Sequence, residues 1–532
     1  MSSRTDFWLT KRYRDSIINT VEDNDLRVIC IGTICYDSAP NLTVLDIAHS
    51  AAAGSLDFNK LHGFYKIVIF VKETKEYIFW GDNQGSQVFF IDSVAKTFSD
   101  SFISLRDARK GEITPCFSSV AELLAANYIF SDETVIKGIY TTSLYSYYRY
   151  FDGSFSEFSK GLLSLEENKG KSLSALMELL KTSIKVPIFA VCTGGTDSRA
   201  ILANLLKENE RPALIITGHK DNPDIPIAKT ISEITGCPIE ILDSDVKETG
   251  WLDKALQFSD GQYEPVNGYR QYQICKWSEK AAEGSIEYGG VGGEFYKNNY
   301  FSFPRFRACL NPKKELESML SGLSKQESWM GKNILKESYS IRGKSQRYIQ
   351  SNPEGKLLCR FNAVGFDILT KKACCITNIC APYFTEVDPL MDRDVIASAS
   401  KAPPIAHSLA LWQRREINRA YPVLCDIPTD QGYSCSINFF VYGKELLKKG
   451  AYYCSKIVSK AKHFLSIPCE KTKKDYWEDD CIKARKSELF KNALNVCKRA
   501  GFIDADAAEN ELPLRITGNI LLLGMIFENV IF

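Results

Sequence analysis

Alternating apolar and polar positions run through the first 150 residues and predict β-strands there. Four segments carry the pattern, at positions 27–35, 65–71, 77–80 and 87–91. The glycines and polar residues of 81–85 predict a turn between the last two strands, and 120–130 has the periodicity of a helix. These residues therefore predict a β-sandwich with added helices.

A second pattern begins near residue 155, where apolar runs typical of buried strands alternate with helical periodicity. Two helix-like segments are expected within 155–180. The order that follows is strand, helix, strand, helix, strand, at 186–192, 198–208, 213–217, 227–235 and 239–242. Such an order predicts a doubly wound parallel sheet. We therefore expect an α/β protein with domains at 1–160 and 161–532, and mainly helices beyond residue 300.

The composition fits a globular protein with a large core. Hydrophobic residues make up 45% of the 532 positions, charged residues make up 25%, and the net charge is +1. This balance gives no reason to expect nucleic acid or a membrane surface as a partner, and no apolar stretch is long enough to span a bilayer. Seventeen cysteines lie scattered without a zinc-binding spacing, which favours reduced thiols in the core of a cytoplasmic protein.

A short stretch after the first strand of the predicted parallel sheet has the features of a phosphate-binding loop. It reads Thr193-Gly194-Gly195-Thr196-Asp197-Ser198 and leads into a predicted helix. Ligands of open α/β sheets bind at the carboxyl ends of strands, and the first amides of a helix attract anions. Two adjacent glycines let the backbone approach phosphate oxygens, while the aspartate indicates a shared Mg²⁺. The alternative explanation is a Gly-Gly turn with an Asp or Ser cap.

This loop resembles the SGGxDS pyrophosphate loop of N-type ATP pyrophosphatases, and more narrowly that of the synthetase domain of the asparagine synthetase family. Thr193 replaces the usual Ser and keeps its hydroxyl. Arg199 follows, either as a further phosphate ligand or as a solvated side chain. The resemblance implies an adenine nucleotide α-hydrolase-like sheet that binds ATP and Mg²⁺.

A second glycine-rich stretch resembles the segment of the same family that closes over pyrophosphate. It contains Gly290 and Gly292 among four glycines in five residues, and Glu294 stands where the family has a metal-binding Asp. Phe295 takes the place of a Glu found in asparagine synthetases, which leaves the substrate open. The metal ligands implied by the resemblance are Asp197 and Glu294.

Other residues between the two loops resemble further motifs of the family less closely. Thr217 and Gly218 end the strand that helps to hold adenosine in the family. Asp224 resembles the acidic residue before the family's next helix, and Glu264 precedes a proline as in the family's acidic-Pro element. A turn and a helix cap explain the last two equally well.

The segments that form the walls of the family's substrate pocket are matched less closely in this chain. The stretch 381–386 resembles the family's PFLD segment, with Glu386 displaced by one residue from the usual Asp. The family's catalytic Lys would fall in 428–433, which contains no lysine. Arg414 and Arg415, on a helix-like stretch, are the candidates to replace its charge.

The N-terminal half resembles the amidotransferase half of the family, which has an Ntn-hydrolase fold. Its counterparts are Leu61-His62-Gly63-Phe64, the turn at 81–85 and the segment 130–139. The glutaminase of the family uses an N-terminal Cys, whereas this chain has Ser2. We therefore expect a glutaminase-like fold without glutamine hydrolysis.

Two functions follow as hypotheses. The first is an ATP-dependent amide ligase that adenylates a carboxylate, with Glu294, Glu386, Arg414 and Arg415 as catalytic candidates. Its substrate would be a small molecule, a sugar acid or a peptide, as in β-lactam synthetases, lasso-peptide cyclases and relatives from polysaccharide clusters. Its nitrogen would come from ammonia, a partner protein or the substrate itself. The second is a catalytically inactive nucleotide-binding interaction protein of the same fold, which the missing Lys favours.

Overall fold

The structure, a computed structural model, covers most of the chain. The described residues are 7–8, 11, 13–37, 42–109, 113–184, 186–245, 247–281, 286–297, 327–337, 357–402, 404–430, 432, 434–441, 443–445, 447, 451, 476–528 and 530. Ser2 and two positions of the stretch 428–433, namely 431 and 433, lie outside the described residues.

Two sheets form most of the N-terminal part. The larger is antiparallel, with the spatial order β10 (Ser154–Ser159), β9 (Ser146–Phe151), β5 (Glu76–Gly81), β4 (Leu61–Val71), β3 (Leu26–Tyr36) and β2 (Ile18–Glu22). The smaller has the order β1 (Phe7–Trp8), β7 (Thr97–Ser99), β6 (Phe90–Asp92) and β8 (Ile139–Thr141), with β1 and β7 parallel. The antiparallel strands expected from alternation are therefore present.

The helices follow the chain from the sandwich into the C-terminal part. The α-helices with defined bounds include α1 (Val44–Ala52), α2 (Phe102–Ala108), α3 (Phe117–Ala126), α4 (Leu173–Ser183), α5 (Thr196–Lys207), α6 (Asp224–Thr235), α7 (Trp251–Phe258), α8 (Pro265–Ala281), α9 (Leu357–Cys380), α10 (Arg393–Ser400), α11 (Leu411–Ala420), α12 (Tyr476–Arg485), α13 (Glu488–Arg499) and α14 (Thr517–Phe527). Short 3₁₀ helices include Phe58–Lys60, Gly293–Tyr296, Pro389–Met391, Pro404–Ala410, Pro422–Cys425, Glu509–Glu511 and Leu514–Ile516.

The two N-terminal sheets pack face to face, because alternate residues of each strand point to opposite sides. Phe79 of β5 stacks on Phe98 of β7, with ring centroids 4.0 Å apart. On the other face of the larger sheet, Tyr65 and Ile67 of β4 pack with Ile47 of α1. The larger sheet is thus covered on both sides.

Five parallel strands form the third sheet. Their spatial order is β13 (Ile239–Asp243), β12 (Ala213–Gly218), β11 (Ile188–Val191), β14 (Ile286–Tyr288) and β15 (Thr385–Val387). From β11 the chain builds outward through α5 and α6 to β13, and β14 then pairs with the other side of β11. The strand order therefore reverses between β11 and β14, where the carboxyl ends of the strands leave a crevice.

Helices cover both faces of this parallel sheet. Ala190 of β11 belongs to a cluster with Ala200 of α5, whereas the adjacent Phe189 packs with Ile274 of α8 on the opposite face. Burial on both sides explains why β11 and β12 are runs of mainly apolar residues. The α/β class and the order of strands and helices expected over 186–242 are confirmed.

The expectation for residues 155–180, all of which the structure describes, is wrong. They contain one α-helix, α4, and residues 155–159 instead belong to β10, which pairs with β9. Asp152 and Gly153 join the two strands with φ angles of 45° and 75°, values that suit a two-residue hairpin turn. The spacing of Phe155 and Phe158, three residues apart, imitates a helix within an exposed strand.

The N-terminal part and the C-terminal helices share one hydrophobic cluster. Phe102 of α2 and Leu124 of α3 belong to it together with Phe490 of α13 and Ile520 of α14. Buried polar contacts cross the same boundary. Nζ of Lys66 on β4, for example, donates to Asn378 Oδ1 of α9 at 3.0 Å. Residues on either side of position 160 therefore share an interior.

The twelve cysteines whose side chains the structure describes are free thiols, and all of these but Cys116 and Cys375 are buried. Burial raises the pKa of Cys30, for example, to about 12, which makes such a thiol unreactive. No helix in the described part of the chain combines the length and the apolar character that crossing a membrane requires.

Candidate functional site

The two glycine-rich loops lie side by side at the crevice between β11 and β14. The first, 193–198, follows β11, and the second, 289–293, follows β14. A Cβ atom added at Gly293 would lie 2.1 Å from Cγ of Asp197, and one at Gly290 would lie 3.3 Å from the backbone nitrogen of Ser198. The structure therefore brings together two motifs that are far apart in the sequence.

Hydroxyl groups hold the first loop in shape. The backbone N–H of Thr193 donates to Ser198 Oγ at 3.2 Å, and the two hydroxyl oxygens lie 3.0 Å apart. Gly195 is the N-cap of α5 and has no side chain to bond the first amides of the helix. Because helical geometry gives these amides no acceptor within the helix, they remain suited to an anion.

Asp197 is held by two side chains that the sequence did not identify as site residues. Nζ of Lys297 lies 2.5 Å from Oδ2 of Asp197, and Nε2 of Gln413 donates to Oδ1 at 3.1 Å. Gln413 also donates to the carbonyl oxygen of Gly293 at 3.2 Å and so joins both loops. The position of Lys297, four residues after the last glycine of the second loop, was a usable signal for it.

Arg199 is a structural residue of the first loop. Its side chain is buried and donates to the carbonyl oxygens of Gly194, Leu424, Ile427 and Pro428, at distances between 2.5 and 3.3 Å. It is therefore not the solvated side chain that the sequence allowed. Its guanidinium fixes the loop to the segment after α11.

Acidic side chains lie beneath and beside the second loop. Glu294 is half-buried in the 3₁₀ helix Gly293–Tyr296. Asp388, which follows β15, accepts the N–H of Val291 at 3.1 Å, and a Cβ at Gly289 would lie 2.2 Å from its Oδ1. Burial raises the pKa of Asp388 well above its usual range, and nearby Glu386 and Glu294 act in the same direction.

Glu386 lies in the interior of the parallel sheet. It is the direct neighbour of Glu287 across β14 and β15, and both side chains are buried. Burial and the nearby Glu287 raise the pKa of Glu386 to about 8.

The two predicted arginines differ in environment. Arg414 is fully buried and forms an ion pair with Glu445, with 2.6 Å between Nη1 and Oε2. Arg415 is exposed on α11. The residue of this helix that reaches Asp197 is instead Gln413.

The end of β12 lies next to the first loop. Oγ1 of Thr217 accepts two hydrogen bonds from Arg270, at 2.9 and 3.2 Å, and a Cβ at Gly218 would meet Asn222. Asp224, at the start of α6, approaches Gly194 so closely that a Cβ there would lie 2.5 Å from its Oδ1. The crevice is thus bounded on this side by β12 and α6.

A larger cavity, of about 300 Å³, lies between the sandwich and the C-terminal helices. Its lining includes Gly85, Tyr128, Glu264 and Lys371, and most of its surface is apolar. None of its lining residues belongs to the two glycine loops. It is therefore distinct from the candidate phosphate site.

No family model matches this chain, and no curated protein matches it at a significant level. What the chain does is therefore inferred from the residues at the crevice and from the two loops that resemble pyrophosphate-binding segments.

Proposed function

We propose that the chain is an ATP-dependent amide ligase resembling asparagine synthetase, which adenylates a carboxylate and releases pyrophosphate. The observation that carries the proposal is the contact of the two glycine loops at the reversal point of the parallel sheet, Gly293 against Asp197 and Gly290 against Ser198. Nucleotides bind open α/β sheets at such points. The proposed folds are an adenine nucleotide α-hydrolase-like sheet and a degenerate Ntn-hydrolase-like sandwich.

The donors at the crevice suit the phosphates of ATP. Thr193 and Ser198 contribute hydroxyls, the start of α5 contributes amides, and Lys297 contributes an ammonium group. Glycines at the second loop permit its close approach to these donors. Adenosine would lie towards the end of β12, at Thr217 and Gly218.

Asp197 and Glu294 are the side chains that would hold Mg²⁺. Enzymes that use ATP commonly bind this ion with one or two carboxylates together with phosphate oxygens, so these two acids are sufficient. The ion supplies positive charge that neutralises the departing pyrophosphate. Lys297 contributes a second positive charge beside the same carboxylate.

In the proposed reaction, a carboxylate oxygen forms a bond to the α-phosphorus of ATP, and the bond from that phosphorus to the β-bridging oxygen breaks. Lys297 and the amides of α5 stabilise the charge that develops on pyrophosphate. A nitrogen nucleophile then attacks the acyl carbon and loses a proton, and AMP leaves with the bonding electrons. Lys297 thus supplies the catalytic positive charge. The sequence analysis looked for this charge in 428–433 and offered Arg414 and Arg415 as its replacements.

The partners of this reaction are defined by chemistry. The carboxylate belongs to a small molecule, a sugar acid or a peptide. The nitrogen comes from ammonia, from a partner protein or from an amine of the substrate. The proposed location is the cytoplasm.

A nucleotide-binding protein without catalysis is the second candidate function. The distance of 2.5 Å between Lys297 Nζ and Asp197 Oδ2 favours it, because the chain itself already neutralises the carboxylate expected to bind Mg²⁺. Under this alternative the crevice would bind ATP as a structural or regulatory ligand.

An ATP–pyrophosphate exchange assay with a panel of carboxylates separates the two functions. The ligase incorporates labelled pyrophosphate into ATP when its own carboxylate is present. Asp197→Ala is expected to abolish exchange, and Lys297→Ala to slow it by about 10²–10³-fold, because each removes a charged group beside the leaving pyrophosphate. The measured quantity is the exchange rate at saturating ATP.

Lys276→Ala is the matched control, because Lys276 is exposed on α8 and pairs with Glu279 at the surface. It is expected to exchange at the wild-type rate. ATP binding without exchange, across small acids, sugar acids and peptides, would replace the ligase by the nucleotide-binding function.

A further inference from the structure

A small polar cavity lies where the sandwich meets the beginning of α10. Its volume of about 20 Å³ is enough for one water molecule or one ion. His62, Gln84, Asn168 and Asp394 are among the residues that line it, and none of its lining residues belongs to the two glycine loops. The cavity is therefore separate from the proposed ATP site.

Three side chains of metal-ligand type converge at this cavity. His62 is the second residue of β4, Asp392 is the N-cap of α10, and Asp394 lies in the first turn of that helix. One ligand atom from each lies within 4.8 Å of the other two. Nδ1 of His62 is 3.1 Å from Oδ2 of Asp392, and Nε2 is 3.7 Å from Oδ2 of Asp394.

Two buried polar atoms at the cavity lack a hydrogen-bond partner among the described residues. Within the part of the chain that the structure describes, neither Nε2 of His62 nor Oε1 of Gln84 forms a hydrogen bond. The two residues are only 3% and 1% exposed, so water outside the protein does not satisfy these atoms. The side-chain nitrogen of Gln84, in contrast, has a partner, since Nε2 donates to Asp392 Oδ2 at 3.2 Å.

We propose that this cluster binds a divalent transition-metal cation, with His62 Nε2, Asp394 and Gln84 Oε1 as ligands and Asp392 as the carboxylate that orients the imidazole. Histidines bound to metals usually donate their other ring N–H to a carboxylate, which is the relation of Nδ1 to Asp392. Two ligand atoms 3.7 Å apart can both reach an ion at about 2.0–2.2 Å.

The donor set selects the class of ion. A nitrogen ligand among oxygen ligands suits Zn²⁺ or a similar first-row ion, whereas Mg²⁺ and Ca²⁺ prefer oxygen alone. A dication also balances the negative charge of two carboxylates, the buried Asp392 and the half-buried Asp394. Because His62 belongs to the sandwich and both aspartates to α10 and its cap, the bound ion would tie the two parts together.

Zinc binding to the full chain tests this proposal. The chain is freed of metal with a chelator and titrated with Zn²⁺ alone, without nucleotide. One ion per chain is expected, together with a higher melting temperature, because an ion that binds the folded state alone stabilises it. His62→Ala and Asp394→Asn are each expected to weaken zinc binding by more than about 10-fold.

Two controls keep the test specific. His49 forms a comparable pair with Asp23 at the surface, with 2.6 Å between Nε2 and Oδ2, so His49→Ala is expected to bind zinc like the wild type. Asp197→Ala should also bind zinc normally, which separates this site from the ATP site. Asp394→Asn keeps an oxygen that can accept from Asn168, and its melting temperature without metal reports whether it folds.

The proposal is overturned if folded Asp394→Asn binds zinc as tightly as the wild type. It is also overturned if the wild type binds no stoichiometric zinc, in which case His62 forms a buried ion pair with Asp392 beside an ordered water molecule. Neither result would change the expectation for pyrophosphate exchange.

Discussion

Glu287 and Glu386 place two carboxyl groups side by side within the parallel sheet. Burial raises the pKa of both to about 8, assisted by Asp388 for Glu287 and by Glu287 for Glu386. In an unfolded chain the pKa of Glu is roughly 4.3. The stabilising contribution of the protonated pair is therefore complete below that value and is lost as the pH rises towards about 8.

Glu386→Gln is expected to raise the free energy of unfolding at about pH 8 by roughly 1–4 kcal/mol. Glutamine stays uncharged at this pH, so the folded state no longer bears the cost of a buried carboxylate. The loss of stability between about pH 5 and pH 8 should be smaller than in the wild type. Urea unfolding at both pH values measures this. Glu279→Gln, on the exposed face of α8, is the control and should follow the wild type. An unchanged pH dependence in Glu386→Gln would contradict the prediction.

The surroundings of single residues were the least predictable part of the site. The sequence identified Asp197 because its loop is local, a strand end followed by a helix start. It did not identify Lys297 and Gln413, because their contacts with Asp197 depend on how distant segments pack. Arg199 is charged and follows the loop, and only packing shows that it is buried beneath it.

At the scale of elements, the approach of the second loop to the first depends on glycine. A Cβ at Gly293 would overlap the carboxylate of Asp197, the end of a side chain rather than backbone. Gly293→Ala is therefore expected to displace that carboxylate and to slow pyrophosphate exchange by about 10²-fold, with little change in melting temperature. Exchange kinetics and thermal unfolding measure the two effects separately.

Gly290→Ala is the matched control in the same loop. Its Cβ would lie 3.3 Å or more from its neighbours, so small shifts can accommodate it. Most of the exchange activity should remain. Equal losses in the two variants would show that the loop needs flexibility, and not space beside Asp197.

Most elements were predictable because their signals are local. Apolar runs identified β11, β12 and β13, and the helical period identified α5 and α6. The hairpin of β9 and β10 was missed although Asp152-Gly153 is a typical two-residue turn, because two phenylalanines three residues apart imitated a helix. The position of β14 beside β11 is a long-range pairing that no local pattern encodes.

At the scale of the molecule, the hydrophobic cluster shared by α2, α3, α13 and α14 makes residues 1–160 and 161–532 interdependent. The fragment 161–532 alone would expose that surface, so it is expected to aggregate. The full chain should unfold in one calorimetric transition. A monomeric fragment with cooperative unfolding, or two transitions in the full chain, would contradict this.

The position of Arg199 has a consequence for ligand affinity. Its guanidinium donates hydrogen bonds to the carbonyl oxygen of Gly194 and to those of Leu424, Ile427 and Pro428. The first glycine loop is therefore held in place by the segment after α11. A turn fixed in this way is preorganised, and an arriving anion loses little free energy to ordering the backbone. The attraction between the phosphate and the amides then contributes almost fully to the free energy of binding.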